Sequence, residues 1–149
     1  KNSGKAYVFG FSYMINYRIN NNLNLKSSIS FNQSKDLSTN LPLRHSSPIF
    51  GQTSINFTKR NIKVSYYINY NGKKDISNFS PSELNKLYLY TKDGSPAWLT
   101  NNISFIYNIN YLAKINFSCE NIFDIHYRSY SSGISAPGRN FNIGLNMSF

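Results

Sequence analysis

The feature that most constrains this chain is the alternation of apolar and polar residues at every second position over long stretches. Within the last twelve residues, GRNFNIGLNMSF, asparagine, glycine and serine fill one parity. Successive side chains of a β-strand point to opposite faces, so this pattern predicts a strand with one polar and one apolar face. The apolar parity comprises Phe141, Ile143, Leu145, Met147 and Phe149.

A second alternating stretch, from Ala6 to Asn20, is unusually long. Its apolar parity includes Tyr7 and Tyr17, which are ten residues apart. At a rise of about 3.3 Å per residue and a tilt of roughly 40°, the two tyrosines lie about 25 Å apart along a membrane normal. That distance is the height of the apolar band of an outer-membrane barrel, and strands of soluble sandwiches are usually shorter. The length therefore favours a strand that spans a membrane.

The chain as a whole divides into seven such strands, which short turns and long polar loops connect alternately. This asymmetry predicts an all-β fold, an antiparallel transmembrane β-barrel with short turns at one end and long loops at the other. The predicted strands are 6–20, 23–32, 50–57, 62–70, 98–109, 112–123 and the terminal stretch described above. The predicted long loops are 34–47, 71–97 and 124–138.

Two details refine this prediction. The longest loop contains SPSELNKLYLY, which predicts one helical turn with Ser80 or Ser82 as its cap. An odd number of strands leaves one sheet edge unpaired, and lipid does not tolerate an open edge. We therefore expect these strands to be the C-terminal part of a larger barrel.

The composition excludes several other classes of protein. No apolar run is long enough for a membrane-spanning helix. The chain contains 12 tyrosines and 11 phenylalanines, and aromatic residues of this kind favour β-strands. The net charge is +10, but the basic residues are scattered rather than clustered. Positions in a lumen, in loops and beside lipid headgroups explain them better than binding to nucleic acid. The single cysteine can form no internal disulfide bond.

The stretch ENIFDIHYRSYSSGISAPGRNFNIGLNMSF resembles the C-terminus of TonB-dependent outer-membrane receptors. Upstream, PLRHSSPIFG and DGSPAWLTNNISFIY resemble segments that lead into earlier strands in the same family. Together the similar segments cover the last two-thirds of the chain in the family's order and spacing. The resemblance is nearest to receptors for siderophores, haem or similar complexes of Bacteroidetes-type bacteria.

The resemblance implies a 22-stranded barrel of which residues 1–149 form the last seven strands. It also implies an N-terminal plug and earlier strands that are absent from this chain, together with a signal peptide, which KNSGKAY does not provide. The implied partners are outer-membrane lipid, the barrel assembly machinery, the TonB complex acting through the missing N-terminal region, and a surface lipoprotein. The C-terminus would lie at the periplasmic side, and the function would be import of a scarce nutrient.

Two alternatives remain open at this point. A passive porin or other outer-membrane barrel would share the strand pattern but would lack a plug and energy coupling. A secreted, soluble β-sandwich that binds a ligand or surface would also show alternating strands. The upstream sequence distinguishes the first alternative, and extraction without detergent distinguishes the second.

The residue pattern gives little support to an enzyme. His45 and His126 lie in different loops, and no two of the six acidic residues have a spacing that suits acid–base catalysis or a metal site. We therefore expect no catalytic residues, no metal and no cofactor. An outer-membrane phospholipase or protease would be the enzymatic alternative.

Three groups of residues are the candidates for function. The resemblance implies that the apolar parity of the terminal strand, ending in Phe149, is recognised by the assembly machinery. Predicted external contacts with a ligand or partner are Tyr88, Tyr90, His126, Tyr127 and Arg128, for which packing between loops is the simpler alternative. Predicted aromatic anchors at the lipid interfaces are Tyr7, Tyr17, Tyr70, Trp98 and Tyr107.

Overall fold

The computed structural model describes residues 4–44 and 46–148, so Phe149 and His45 lie outside the described residues. Seven long strands form one antiparallel sheet in which each strand pairs with its neighbour along the chain. They are β1 (Ala6–Arg18), β2 (Leu23–Asp36), β3 (Phe50–Lys59), β4 (Ile62–Asn71), β7 (Trp98–Asn108), β8 (Ala113–Glu120) and β9 (Asn140–Met147). A separate two-stranded ladder pairs β5 (Lys74–Asp75) with β6 (Gly94–Ser95). The seven predicted strands are confirmed.

The largest differences from the predicted boundaries lie at the ends of two strands. β2 continues to Asp36, beyond the predicted end at residue 32, because it stays paired with β1 as far as Ala6. β8 ends at Glu120 rather than at residue 123. Asn121 adopts a φ of 50°, and this left-handed conformation terminates the strand.

The register gives the sheet two chemically distinct faces. Tyr66 on β4 lies opposite Ile55 on β3 and Ile103 on β7, and the same parity stays largely apolar across all seven strands. The other parity is mainly asparagine and serine, as where Asn56 lies opposite Ser65. We call these the apolar face and the polar face. Large side chains of the apolar face are exposed, and Ile143 on β9 reaches 82% exposure.

Two of the three short turns use the same local chemistry. The side-chain oxygen of Asn20 accepts hydrogen bonds of 2.9 Å from the backbone N–H groups of Asn22 and Leu23. Asn110 makes the equivalent bonds to Leu112 and Ala113, at 2.8 and 2.9 Å. Asparagine side chains commonly stabilise turns in this way. The third turn is the tighter connection between β3 and β4, with Arg60 at a φ of 49°.

The longest loop contains the predicted helical turn. Helix α1 comprises Pro81–Leu84, and Ser80 occupies its N-cap position. Short 3-10 turns at Ile76–Asn78 and Leu87–Leu89 flank the helix. Within residues 4–44 and 46–148, no helix has the length and hydrophobicity needed to cross a membrane.

Candidate functional site

The three long loops meet at one end of the sheet, and we call them L1 (37–49), L2 (72–97) and L3 (121–139). Phe79 of L2 is 1% exposed and packs against two tyrosine rings, those of Tyr90 in L2 and Tyr130 in L3. The ring centroids lie 4.7 and 5.3 Å from that of Phe79. Aromatic pairs at these distances stabilise a small core. L2 and L3 are therefore packed against each other rather than extended separately into solvent.

A buried carboxylate also joins L2 to L3. Glu83 on α1 is only 3% exposed. It accepts a hydrogen bond of 2.5 Å from the Tyr90 hydroxyl and one of 2.8 Å from the Ser131 hydroxyl. The Tyr90 oxygen in turn accepts a 3.2 Å bond from the backbone N–H of Ser131. A buried charge needs such donors to compensate for its lost hydration.

Lys74 connects all three loops. Its ammonium group lies 4.5 Å from the centre of the Tyr130 ring in L3, in a cation–π arrangement. The same group donates a hydrogen bond to the backbone carbonyl of Ser46 in L1. Burial lowers the pKa of Lys74. This one side chain therefore contributes to the packing of L1 and L3 around the base of L2.

L3 begins with a network of side-chain amides. Asn102 on β7 is 3% exposed, and its side-chain oxygen accepts a 2.8 Å bond from the backbone N–H of Asn121. The Asn121 side chain exchanges two bonds of 2.9 Å with the backbone of Ile125 and donates one of 3.4 Å to the carbonyl of Pro137. The two ends of L3 are thus held together over the end of the sheet.

Asp124 closes L3 in the same region. It has a φ of 55°, and its carboxylate accepts a 2.7 Å bond from the backbone N–H of Arg139. A Cβ atom at Gly138 would collide with that carboxylate, so a larger residue here would displace the Asp124 side chain from its bond to Arg139. The ENIFD and APGRN segments noted in the sequence therefore contain the residues that shape L3.

The predicted contact residues line one cleft of about 260 Å³ between L2 and L3. Tyr88 and Tyr90 come from L2, and His126, Tyr127 and Arg128 come from L3. Tyr88 is 82% exposed, whereas a guanidinium nitrogen of Arg128 donates a 2.8 Å bond to the carbonyl of Leu89. The structure thus brings all five residues together, and we call this site the loop cleft.

Trp98 also lines the loop cleft, which differs from its predicted position at a lipid interface. It belongs to the parity of Thr100 and Asn102 on the polar face, whereas Leu99 lies on the apolar face opposite Tyr70. The Trp98 ring packs on Tyr127 with a centroid distance of 4.3 Å. The register therefore separates Trp98 from Tyr7, Tyr17, Tyr70 and Tyr107, which lie on the apolar face near its two ends.

Two polar atoms beside the loop cleft have no hydrogen-bond partner among the described residues. They are the indole nitrogen of Trp98 and the Nε atom of Arg128, and both are buried. An unpaired buried donor costs about 1–3 kcal/mol.

The environment of the cleft also changes the acidity of its phenols. Burial raises the pKa of Tyr90, and the hydrogen bond to Glu83 raises it further. Burial likewise raises the pKa of Tyr127, with a smaller contribution from the Glu120 carboxylate. These tyrosines are neutral hydrogen-bonding groups at physiological pH. No group of three or more His, Cys, Asp or Glu side chains that could hold a metal occurs within residues 4–44 and 46–148.

Sequence reasoning missed Glu83, the carboxylate at the centre of the contacts between L2 and L3. A single glutamate in a polar loop gives no sign that it is buried. The terminal strand forms as predicted, and Phe141, Ile143, Leu145 and Met147 lie exposed on the apolar face of β9.

Comparison with known proteins shows similarity in structure alone. No protein-family model and no curated protein sequence matches the chain. Among solved structures, 97% of the chain superposes on the copper transporter OprC, with a TM-score of 0.80 and 15% sequence identity. The ferric yersiniabactin uptake receptor FyuA from Yersinia pestis aligns over 99% of the chain, with a TM-score of 0.70 and 16% identity.

The chain spans about a quarter of each of these proteins, 24% in both cases. At such low identity, what is shared is the fold. The seven-stranded antiparallel sheet is therefore a portion of a larger β-barrel, as the strand pattern predicted.

Proposed function

We propose that this chain is part of the barrel of a TonB-dependent outer-membrane receptor that imports a scarce nutrient. The observation that carries the proposal is the apolar face, which is exposed across seven long strands. In water, an apolar surface of this extent would promote aggregation, whereas lipid solvates it. The fold shared with a copper transporter and a siderophore uptake receptor supports the same proposal.

In this proposal, residues 1–149 are the C-terminal strands of a barrel that encloses an N-terminal plug. The polar face lines the lumen around the plug, and the TonB complex acts through the N-terminal region. The long loops face the cell exterior, and the short turns and the C-terminus face the periplasm. The assembly machinery recognises the terminal strand through Phe141, Ile143, Leu145, Met147 and Phe149.

The loop cleft is the proposed external contact for the nutrient. A siderophore, haem or a similar complex offers planar groups, which suit the aromatic rings of Tyr88, Trp98 and Tyr127 that line the cleft. Tyr88, with 82% of its surface exposed, is also available to a surface lipoprotein. The chemistry of the cleft supports binding rather than catalysis, so we assign no catalytic residue. We place the receptor among those of Bacteroidetes-type bacteria.

The proposal is tested by fractionating cells and by measuring uptake. The full-length protein should sediment with the outer membrane and require detergent for extraction, whereas a soluble sandwich would be released by salt. Uptake of the nutrient should stop when TonB is removed, whereas a passive porin would continue to conduct. Protein found in the soluble fraction, or uptake that does not depend on TonB, would contradict the proposal.

A further inference from the structure

The tight turn between β3 and β4 differs from the other two short turns. Those turns are built on Asn20 and Asn110, whereas this one places Arg60 at a φ of 49°. A long side chain in the left-handed region costs roughly 1–2 kcal/mol, a cost that glycine or asparagine largely avoids. An arginine in this strained conformation points to a use for its charge at this position.

A cleft of about 510 Å³ lies beside this turn, and we call it the rim cleft. Its walls are Phe57, Ile62 and Tyr107, which belong to the apolar face and are each about 40% exposed (38%, 38% and 41%). Lys59 and Arg60 lie at the turn end of the same cleft. Lys59 shares the parity of Phe57 and is paired with Ile62. The rim cleft therefore combines an apolar strip with two cations at one end.

The acidic residues of the chain lie away from these two cations. All six acidic residues lie in the long loops or at the adjoining strand ends: Asp36, Asp75, Glu83, Asp93, Glu120 and Asp124. Residues 50–71, which include β3, β4 and their turn, contain no acidic residue. Lys59 and Arg60 thus have no carboxylate on their own hairpin, and an anion from outside the chain would complement them.

We propose that the rim cleft binds a glycerophospholipid, with the headgroup phosphate on Lys59 and Arg60 and an acyl chain along Phe57, Ile62 and Tyr107. The inference rests on the proposed function, because it requires the apolar face to lie in lipid. Inorganic phosphate would satisfy only the cations and would make no contact with the apolar walls. A phospholipid matches both halves of the cleft. Its phosphate would lie at the turn end beside the two cations, and its acyl chain would lie along the apolar walls.

Lipid retention on the full-length protein, purified in detergent and measured by native mass spectrometry, tests this proposal. The probes are dioleoyl phosphatidylglycerol and dioleoylglycerol, which has the same acyl chains without the phosphate. The double variant Lys59→Gln/Arg60→Gln should retain phosphatidylglycerol about 25-fold less, at about five-fold for each cation lost. The matched control is Lys63→Gln/Lys114→Gln, which removes the same charge from the polar face and should retain the lipid as the wild type does.

Equal losses in the two double variants, or equal retention of the two probes by the wild type, would overturn the proposal. Arg60→Asn gives a second test, because asparagine tolerates positive φ. This variant should unfold at a higher denaturant concentration and yet retain phosphatidylglycerol about five-fold less. If the retention of phosphatidylglycerol rises together with stability, or does not change, Arg60 has no role in lipid binding.

The two proposals fail in different ways. A gel-mobility shift on heating shows whether each variant has a folded barrel before its lipid is measured. One outcome is that the protein fractionates with the outer membrane and supports uptake while the Lys59→Gln/Arg60→Gln variant retains as much lipid as the wild type. In that case only the lipid site is overturned. If the wild-type protein does not fractionate with membranes, the proposed function itself is overturned.

Discussion

The hydroxyl of Tyr70 on β4 donates a 3.0 Å hydrogen bond to the backbone carbonyl of Ser28 on β2, and its ring crosses Gly51 on the strand between them. Glycine in a strand leaves a gap and adds backbone freedom, both of which weaken a sheet. Here the aromatic ring fills the gap and links three strands. Designed β-sheets use the same combination to stabilise glycine positions.

Gly51→Ala should therefore destabilise the sheet by about 1–3 kcal/mol, as overpacking typically does. The new Cβ would lie 2.6 Å from the Tyr70 Cζ atom and closer still to the Ser28 carbonyl, and that backbone cannot rotate away. Urea unfolding of the protein in lipid vesicles measures the loss. Gly133→Ala is the control, because among the described residues only its own chain neighbours lie within 4 Å of the added methyl group. Equal stability of the two variants would contradict the role assigned to Tyr70.

Glu83→Gln should loosen L2 from L3. The carboxylate accepts from the hydroxyls of Tyr90 and Ser131, and an amide presents an N–H group to one of these positions. Loss of a buried hydrogen bond of this kind costs about 1–3 kcal/mol. Hydrogen exchange of the L2 and L3 amides should accelerate, whereas exchange in β3 and β4 should stay unchanged. Asp93→Asn, which alters an exposed acid of the same loop, should leave exchange as in the wild type.

The contact between L2 and L3 should also weaken in alkaline solution. The pKa of Tyr90 is raised by burial and by Glu83, so the folded loops favour the neutral phenol. This contribution to stability is complete below the ordinary tyrosine pKa of about 10. It is lost as the pH rises from there through the raised pKa. Amide exchange of L3 followed from neutral to alkaline pH should show this opening, and Tyr90→Phe should reduce its pH dependence. If the pH dependence of L3 exchange were the same in Tyr90→Phe as in the wild type, Tyr90 would not be the group responsible for the opening.

The sequence predicted the sheet better than the site, for a physical reason. Each strand has an apolar and a polar face, so its period-2 pattern is local and visible without a structure. The position of Trp98 on the polar face could have been inferred from its parity with Thr100, but its aromatic character suggested a lipid interface instead. Glu83 is bonded to Ser131, a residue 48 positions away, and no local sequence pattern predicts that contact.

The motifs that carry the family resemblance contain the residues that shape L3. Asn121 and Asp124 hold positive φ angles of 50° and 55° and bond to Pro137 and Arg139 at the other end of L3. Gly138 makes room for the Asp124 carboxylate. These residues fix the loop that carries His126, Tyr127 and Arg128. The motif therefore indicates how the loop is built.

The orientation of the barrel can be tested with two tyrosines at opposite ends of the sheet. Tyr88 in L2 and Tyr111 in the turn between β7 and β8 are 82% and 92% exposed. The proposed function places Tyr88 outside the cell and Tyr111 in the periplasm. Tyr88→Cys should react with a bulky, membrane-impermeant maleimide on intact cells, because L2 is accessible from the medium. Tyr111→Cys should react only after the outer membrane has been permeabilised.

The wild-type protein is a suitable background for this labelling. Its single cysteine, Cys119, is 7% exposed and should remain unlabelled in the folded barrel. Both introduced cysteines should react equally once the membrane is opened, which controls for differences in reactivity. If intact cells label Tyr111→Cys and spare Tyr88→Cys, the long loops face the periplasm, and the loop cleft cannot be the external contact for a nutrient.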